Sequence, residues 1–76
     1  MKRRFHVVQG NATDTLTVQG IGAGHNTAAK DYVTIHMPGY LRESVQYSHT
    51  LHPRTLVFYV TNAAGTQSTK IFVTEE

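Results

Sequence analysis

The sequence predicts a small α+β domain in which one helix packs on an antiparallel sheet, in the order β-β-α-β-β-β. Three observations lead to this prediction: short β-branched runs near both ends of the chain, one stretch of helical periodicity in the middle, and turn-forming residues between them. At 76 residues without an internal repeat, the chain has room for a single small domain over residues 1–76.

The first two strands are predicted at residues 5–8 and 15–19, with a turn between them. Alternation in the second strand places Leu16 and Val18 on one face and polar side chains on the other. A connector with glycine at alternate positions, residues 20–24, then leads to the next element, because glycine permits backbone angles that side chains forbid.

Residues 26–37 decide the fold, and they allow two interpretations. At 100° per residue the apolar side chains and His36 fill one arc of a helix, Asn26 or Thr27 supplies the N-cap oxygen, and the Pro-Gly pair that follows ends the helix. Residues 33–37 also alternate like a strand, which their β-branched side chains favour. We predict the helix, in which His36 is a partly buried, hydrogen-bonded packing residue. An all-β fold would move the aromatic side chains to other faces.

Three strands are predicted after the helix. Residues 40–48 alternate like a strand with one wet face, residues 49–54 form a loop, and residues 56–60 are apolar on both faces, which is typical of a central strand. A hairpin connection at residues 62–67 leads to the last strand at residues 70–73. If this last strand lies at an edge of the sheet, its unpaired backbone can add a partner strand or form a homodimer.

The composition predicts a cytoplasmic protein that does not associate with membranes. The chain has no cysteine, so neither a disulfide framework nor a thiolate zinc site is available. Its first apolar run is shorter than the about seven residues of a signal peptide, and far shorter than the about 20 residues of a membrane span.

No catalytic signature is present, and we expect a non-enzymatic protein without a cofactor or a metal. The serines lie outside a Gly-x-Ser-x-Gly context, and none has a visible base beside it. The spacing of His49 and His52 suits one cation, but no third ligand can be identified. We therefore interpret both histidines as surface residues.

Aromatic side chains exceed what the core of a one-helix domain requires, and together with flanking arginines they predict a partner-binding surface. Both residue types are enriched at protein interfaces, where aromatic rings act as anchors and arginine offers a planar set of donors. Phe58 and Tyr32 are expected in the core. The candidate partner-binding residues are Tyr40, Arg42, Tyr47 and Arg54.

The net charge of +2 suggests RNA or DNA binding as an alternative. A phosphate-binding surface usually gathers its basic side chains on one face, whereas here residues 2–4 form a basic end and the body of the chain is close to neutral. The candidate residues for this alternative are Lys2, Arg3, Arg4 and Lys30.

Residues 22–30, with the sequence GAGHNTAAK, resemble the start of the last helix in double-stranded-RNA-binding domains. Ala29 and Lys30 fall where that motif has its alanine and final lysine, but Asn26 and Thr27 stand where it has its two leading lysines. The chain also opens on a strand, whereas that family opens on a helix. The resemblance implies a shared way of turning from strand to helix, without most of the family's phosphate contacts.

In size and layout the chain resembles phage and mobile-element accessory proteins, including anti-CRISPR proteins. It shares with them a short, cysteine-free α+β domain with one helix on a meandering sheet. The resemblance implies an inhibitor that binds a protein or ribonucleoprotein complex of a bacterial host. A structural component of a phage particle is a further alternative.

Overall fold

The computed structural model describes all 76 residues as a five-stranded antiparallel sheet with one α-helix packed on one face. Its elements in chain order are β1 (Lys2–Gln9), β2 (Ala12–Gln19), α1 (His25–His36), a 3₁₀ turn (Arg42–Ser44), β3 (Gln46–His52), β4 (Thr55–Thr61) and β5 (Ser68–Glu75). The α+β class and the order β-β-α-β-β-β are confirmed, and the all-β alternative is wrong.

The strands lie in the spatial order β2-β1-β5-β4-β3, and every neighbouring pair is antiparallel. The edges of the sheet are therefore β2 and β3, and α1 carries the chain from one edge to the other. The expectation that the last strand could lie at an edge is wrong, because β5 pairs with β1 on one side and β4 on the other. For the same reason β5, and not the apolar β4, is the central strand.

The hairpin of β1 and β2 turns through two residues, Gly10 and Asn11. Gly10, at the first central position, has a φ of 61°, whereas Asn11 at the second has a negative φ. This combination is typical of a type II′ turn. This turn matches the right-handed twist of the strands and sets the register at Gln9 opposite Ala12. Val18 is buried and Leu16 is half-buried on the helix side, as the alternation predicts.

The helix α1 begins at His25, one residue earlier than predicted. Its N-cap is Gly24, and no side chain caps the helix. The predicted N-cap role of Asn26 or Thr27 is therefore wrong: the Thr27 hydroxyl donates a hydrogen bond to the carbonyl of Gly22, at 2.8 Å, from inside the first turn. At the other end the Met37 amide donates to the carbonyl of Val33, at 3.0 Å, directly before the proline.

The core lies between α1 and the sheet. Small side chains of the helix let it approach the strands closely, and Tyr32 fills the space that they leave, at 1% exposure. The expectation that Tyr32 and Phe58 belong to the core is confirmed. The buried residues of this cluster are Phe5, Val7, Val18, Ala23, Ala28, Ala29, Tyr32, Val33, Met37, Val45, Phe58, Val60, Ile71 and Val73.

The segment that leads into β3 differs from the prediction. Residues 40–48 do not form one strand, because Tyr40 makes a single bridge to Asn62 and the chain then makes the 3₁₀ turn. The Ser44 hydroxyl holds this turn against β4 by accepting from the Thr61 amide, at 2.8 Å. The predicted loop at residues 49–54 is in part wrong as well, since β3 continues to His52 with two irregularities in its register.

Candidate binding surfaces

The four predicted partner-binding residues do not form one surface. Tyr40 bridges to Asn62 at one end of β4, whereas Arg54 lies in the turn at its other end, eight residues or about 26 Å away along the strand. Tyr47 lies between them on the edge strand β3. The prediction of a single patch of Tyr40, Arg42, Tyr47 and Arg54 is therefore not supported by the placement of these residues.

Two of these four residues have structural partners. Tyr40 is half-buried and packs against the core. The guanidinium of Arg42 donates to Asp31 at 3.1 Å and to the hydroxyl of Thr34 at 3.2 Å, and so it fastens the 3₁₀ turn to α1. Both side chains thus help to fix the segment that joins the helix to β3.

The other two remain on the surface. Tyr47 is 56% exposed although its ring stands edge-on to Phe58, with 6.2 Å between the ring centroids, and its hydroxyl shares a 2.7 Å hydrogen bond with Thr50. Arg54 is exposed and its guanidinium makes no ion pair, but its backbone carbonyl accepts from the Glu75 amide at 3.0 Å.

The predicted nucleic-acid residues also separate. Alternation along β1 sends Lys2 and Arg4 to the face of the sheet opposite the helix, and Arg3 to the helix side. Lys30 lies on the half-buried flank of α1. Only Lys2 and Arg4 therefore share a surface.

Arg3 is a structural residue at the helix side of the sheet. Its guanidinium binds both carboxylate oxygens of Glu75, at 2.7 and 2.8 Å, and donates to the carbonyl of Ala23 at 2.7 Å. It also lies 5.4 Å from the ring centroid of Phe5. The hydrogen bond from Arg3 holds the pKa of the Glu75 carboxyl below its usual range, and the same bond raises the pKa of Arg3.

His36 is hydrogen-bonded and packs against Tyr32, with 4.8 Å between the ring centroids, as the sequence predicted, but the prediction that it is partly buried is wrong. It is exposed at the C-terminal end of α1, and it reaches sideways to the edge of the sheet, where its Nε2 lies 2.6 Å from Oδ2 of Asp14. The other carboxylate oxygen of Asp14 accepts from the Thr15 amide at 2.8 Å. The bond to His36, and then the bond from Thr15, lower the pKa of Asp14. The pair therefore joins the helix end to β2.

The face of the sheet that α1 does not cover is called here the open face. The register assigns it alternate residues of each strand, because side chains at paired positions point to the same side. These residues are Lys2, Arg4, His6 and Val8 of β1, Thr13, Thr15, Thr17 and Gln19 of β2, Gln46, His49 and His52 of β3, Thr55, Val57, Tyr59 and Thr61 of β4, and Ser68, Lys70, Phe72 and Thr74 of β5.

An apolar row crosses the middle of the open face. Val8 lies opposite Phe72, and Phe72 lies opposite Val57 on the next strand. Val57 is fully buried, and Phe72 and Val8 are half-buried. Beside this row the hydroxyls of Thr55 and Thr74 share a 2.7 Å hydrogen bond across the two strands. The centre of the open face is therefore ordered by its own side chains.

Cationic and aromatic side chains flank the apolar row. Lys70 lies opposite Tyr59, which is 38% exposed, and Arg4 lies two residues beyond His6 on β1. The one carboxylate on this side is Glu76, 3.6 Å from Arg4. Lys70, Tyr59 and Phe72 were not among the binding residues predicted from the sequence, although Lys70 and Phe72 are two positions apart and therefore share one face of a strand.

The whole formal charge of the protein lies on the open face. Three cations, Lys2, Arg4 and Lys70, face one carboxylate there. The remaining four cations are matched by four carboxylates on the helix side, at the ends of the sheet and in the turns. The net charge of +2 thus belongs to one face of the sheet, whereas the linear sequence suggested a basic end and a nearly neutral body.

Neither the histidines nor the surface pocket forms an evident chemical centre. No group of three or more His, Asp or Glu side chains lies close enough to hold a metal ion. The one pocket, of about 400 Å³, is lined by Met1, Gly20 and Ile21, whose side chains offer no acid or base. The only α-helix has 12 residues and is too short to cross a membrane.

No family model matches the chain, and neither does any curated protein or solved structure. The open face and the exposed part of β3 are therefore the features from which a function can be inferred.

Proposed function

We propose that this protein is a non-enzymatic binding module and that its open face binds a single strand of RNA or DNA. The observation that carries the proposal is the charge distribution, since the complete net charge lies on the one face that also carries the exposed Tyr59 and the half-buried Phe72. Positive charge attracts the phosphate backbone, and aromatic rings stack with unpaired bases whatever their sequence.

Tyr59 and Phe72 are the proposed stacking residues. They lie on the neighbouring strands β4 and β5, in a diagonal relation about 7–8 Å apart, because Tyr59 is directly opposite Lys70. Lys70 is therefore beside both rings, where its ammonium group can pair with a phosphate between two stacked bases. Single-stranded nucleic acid is preferred over a duplex because a duplex keeps its bases stacked on one another and offers a sheet little besides phosphate.

Hydroxyl and imidazole groups surround these residues and supply donors and acceptors for base edges. Thr13, Thr15 and Thr17 form an exposed row on β2, and His6 is half-buried between them and the centre of the face. These groups both donate and accept hydrogen bonds, so they favour a ligand that is hydrogen-bonded as well as charged.

The direct test is the anisotropy of a labelled oligouridine and a labelled oligothymidine titrated with the protein at rising salt. Contacts from three cations predict a slope of about −2 in log affinity against log salt, from about −0.7 for each phosphate contact on a single strand. A flat response, or no binding at low salt, rules out this function. A preference for one of the two oligonucleotides reports a contact to the sugar 2′-hydroxyl.

Two double variants with the same change in net charge locate the site. Replacing Arg4 and Lys70 by Gln should abolish most of the binding, whereas replacing Lys30 and Arg54 by Gln should leave it nearly unchanged. Equal losses in both variants would mean that charge attracts nucleic acid without a defined site. Tyr59→Ala should weaken binding by about 1–3 kcal/mol while Tyr59→Phe should not, because only the first removes the stacking ring.

A protein partner at the β3 edge is the second candidate, and one observation favours it. Tyr47, Leu51 and Leu41 are exposed by 56%, 50% and 44% along β3 and the 3₁₀ turn before it, and large exposed apolar side chains can mark a protein interface. The hypothesis of a phage or mobile-element inhibitor of the anti-CRISPR type would place its bacterial target here.

The second candidate is tested by capture from bacterial lysate with nuclease present. Retention of one defined protein complex by the parent chain, and its loss in Tyr47→Ala with unchanged circular dichroism, would support it. Retention that Tyr47→Ala does not affect, or that nuclease removes, would exclude this surface as the contact.

A further inference from the structure

We infer that β2 is a docking edge for a second copy of this chain, with the two β2 strands pairing antiparallel to give a continuous ten-stranded sheet. This inference does not depend on the ligand of the open face. It rests on the backbone groups of β2, on the regularity of that strand, and on how its side chains match those of a second β2.

The register shows which backbone groups of β2 are free. In the hairpin with β1, hydrogen-bonded pairs begin at Gln9 and Ala12 beside the turn and recur at every second residue. The Gly20 amide donates to the Met1 carbonyl at 3.1 Å, which agrees with this phase at the far end of the strand. The amides and carbonyls of the four open-face residues of β2, from Thr13 to Gln19, therefore point away from the sheet.

The two edges of the sheet differ in how well they can accept another strand. β2 has eight residues in an unbroken register and contains neither proline nor lysine. β3 has two irregularities in its register and is followed directly by Pro53. Irregular backbone and proline are devices that blunt an edge, so the β3 edge is protected and the β2 edge is open to pairing.

One self-pairing register uses every outward group of β2. It places Thr15 opposite Thr17 of the second copy and Thr13 opposite Gln19, with Leu16 opposite Leu16 on the axis. The pairing then makes about eight backbone hydrogen bonds, two for each of four pairs. On the open face all cross-strand pairs are neutral and polar, and on the helix side the half-buried Leu16 gains an apolar neighbour.

Charge also favours a second copy in this register. Asp14 is the only charged residue of β2, and it lies opposite Val18 of the second copy, so the two carboxylates are not opposed. Pairing requires the Thr15 amide to exchange its bond to Asp14 for a carbonyl of the partner, while Asp14 keeps its bond to His36. The Asp14 carboxylate therefore competes with the second copy for the Thr15 amide, and this competition weakens the pairing.

The helices do not obstruct this arrangement. α1 packs on β2, β1 and β5, and it is thus centred near β1. The two helices of a dimer would be three strand spacings apart, about 14 Å. Packed helices need only about 8–10 Å between their axes, so both fit on the same side of the joined sheet without a clash.

Sedimentation of the full chain tests the inference first. From about 10 μM to about 1 mM, the weight-average mass should rise from one copy towards two. Thr17→Pro should remain a single copy with unchanged circular dichroism, because it deletes an outward amide that β1 does not use, and Thr17→Val should still pair. A parent chain that remains a single copy throughout this range would overturn the inference. The remaining occupant of the β2 edge would then be an extended segment of another protein.

A cysteine scan reads the register, since the natural chain has no cysteine. Leu16→Cys, oxidised with diamide at a concentration where pairing occurs, should form a disulfide-linked dimer, because paired positions on the axis hold their Cβ atoms about 4.5–5.5 Å apart. Thr15→Cys should link much more slowly, because its own copy is two positions away. Faster linking at position 15 than at position 16, or equal rates at both, would overturn the proposed pairing. Asp14→Ala removes the competitor, and should strengthen association in the same sedimentation assay.

Discussion

The two faces of this sheet are made from the same strands, yet one forms the core under the helix and the other is a charged surface. On the helix side, Phe5 and Val7 of β1 are fully buried and Arg3 is held by Glu75. On the open face, Lys2 and Arg4 of the same strand remain in solvent. The basic run near the start of β1 is thus divided by strand alternation, and neighbours in sequence contribute either to stability or to surface charge.

Replacing one phenylalanine on each face gives the largest contrast. Phe58 is 1% exposed in the core on the helix side, so Phe58→Ala should lower the free energy of unfolding by about 3–5 kcal/mol. Phe72 is half-buried on the open face, and Phe72→Ala should cost about 1–2 kcal/mol. Urea unfolding followed by circular dichroism measures both.

Equal losses in these two variants would mean that the open face is a second core, and its role as a binding surface would be in doubt. If Phe58→Ala does not fold, Phe58→Leu keeps the comparison measurable, and its cost should still exceed that of the matching Phe72→Leu.

A smaller effect is expected from the hydroxyl pair inside the open face. Thr55→Val removes the 2.7 Å hydrogen bond to Thr74 at almost constant volume and should cost about 1 kcal/mol. Thr17→Val, at an exposed position of the same face, should have almost no effect on urea unfolding. A neutral Thr55→Val would show that this bond does not order the centre of the face.

The smallest effect is the acid sensitivity of the helix side. The pKa of Glu75 is lowered by Arg3, and that of Asp14 is lowered by His36, so both carboxyls stabilise the fold above their unfolded pKa of about 4. This contribution is lost as the pH falls through the lower folded pKa. The midpoint of thermal unfolding should therefore decline in acid, and it should decline less steeply in Glu75→Gln. A variant with the same acid slope as the parent would show that the pair with Arg3 adds no stability.

The local elements could be predicted from the sequence because each has a short-range signal. Alternation and a Gly-Asn turn identify the β1 and β2 hairpin, Pro38 marks the end of α1, and Asn62 begins the turn before β5, where its side-chain oxygen accepts from two amides. The segment at residues 40–48 misled the prediction, because its alternation of apolar and polar side chains also fits a 3₁₀ turn that is fastened by Arg42 and Ser44.

The strand order and the charged face could not be predicted in the same way. Both depend on β5 entering between β1 and β4, which is a choice among distant pairings and leaves no periodic signal. Without that order, Lys70 of β5 could not be assigned to the same face of the sheet as Lys2 and Arg4 of β1. Only the division of Lys2 and Arg4 from Arg3 was available from alternation alone.

The pairing of β1 with β5 also has a consequence for how the chain acquires its structure. Val7 lies opposite Val73, so the central seam of the sheet joins residues that are far apart in the chain. Contacts of this kind form late and slowly, because the loss of entropy on closing a long loop comes before the contact contributes any stabilising free energy. The β1 and β2 hairpin and the meander of β3, β4 and β5 can each form from local contacts. The pairing of β1 with β5 can form only after both of these units are present. During synthesis the complete sheet therefore cannot form until β5 has left the ribosome. Until then the side of β1 that pairs with β5 is unpaired and open to pairing with other chains.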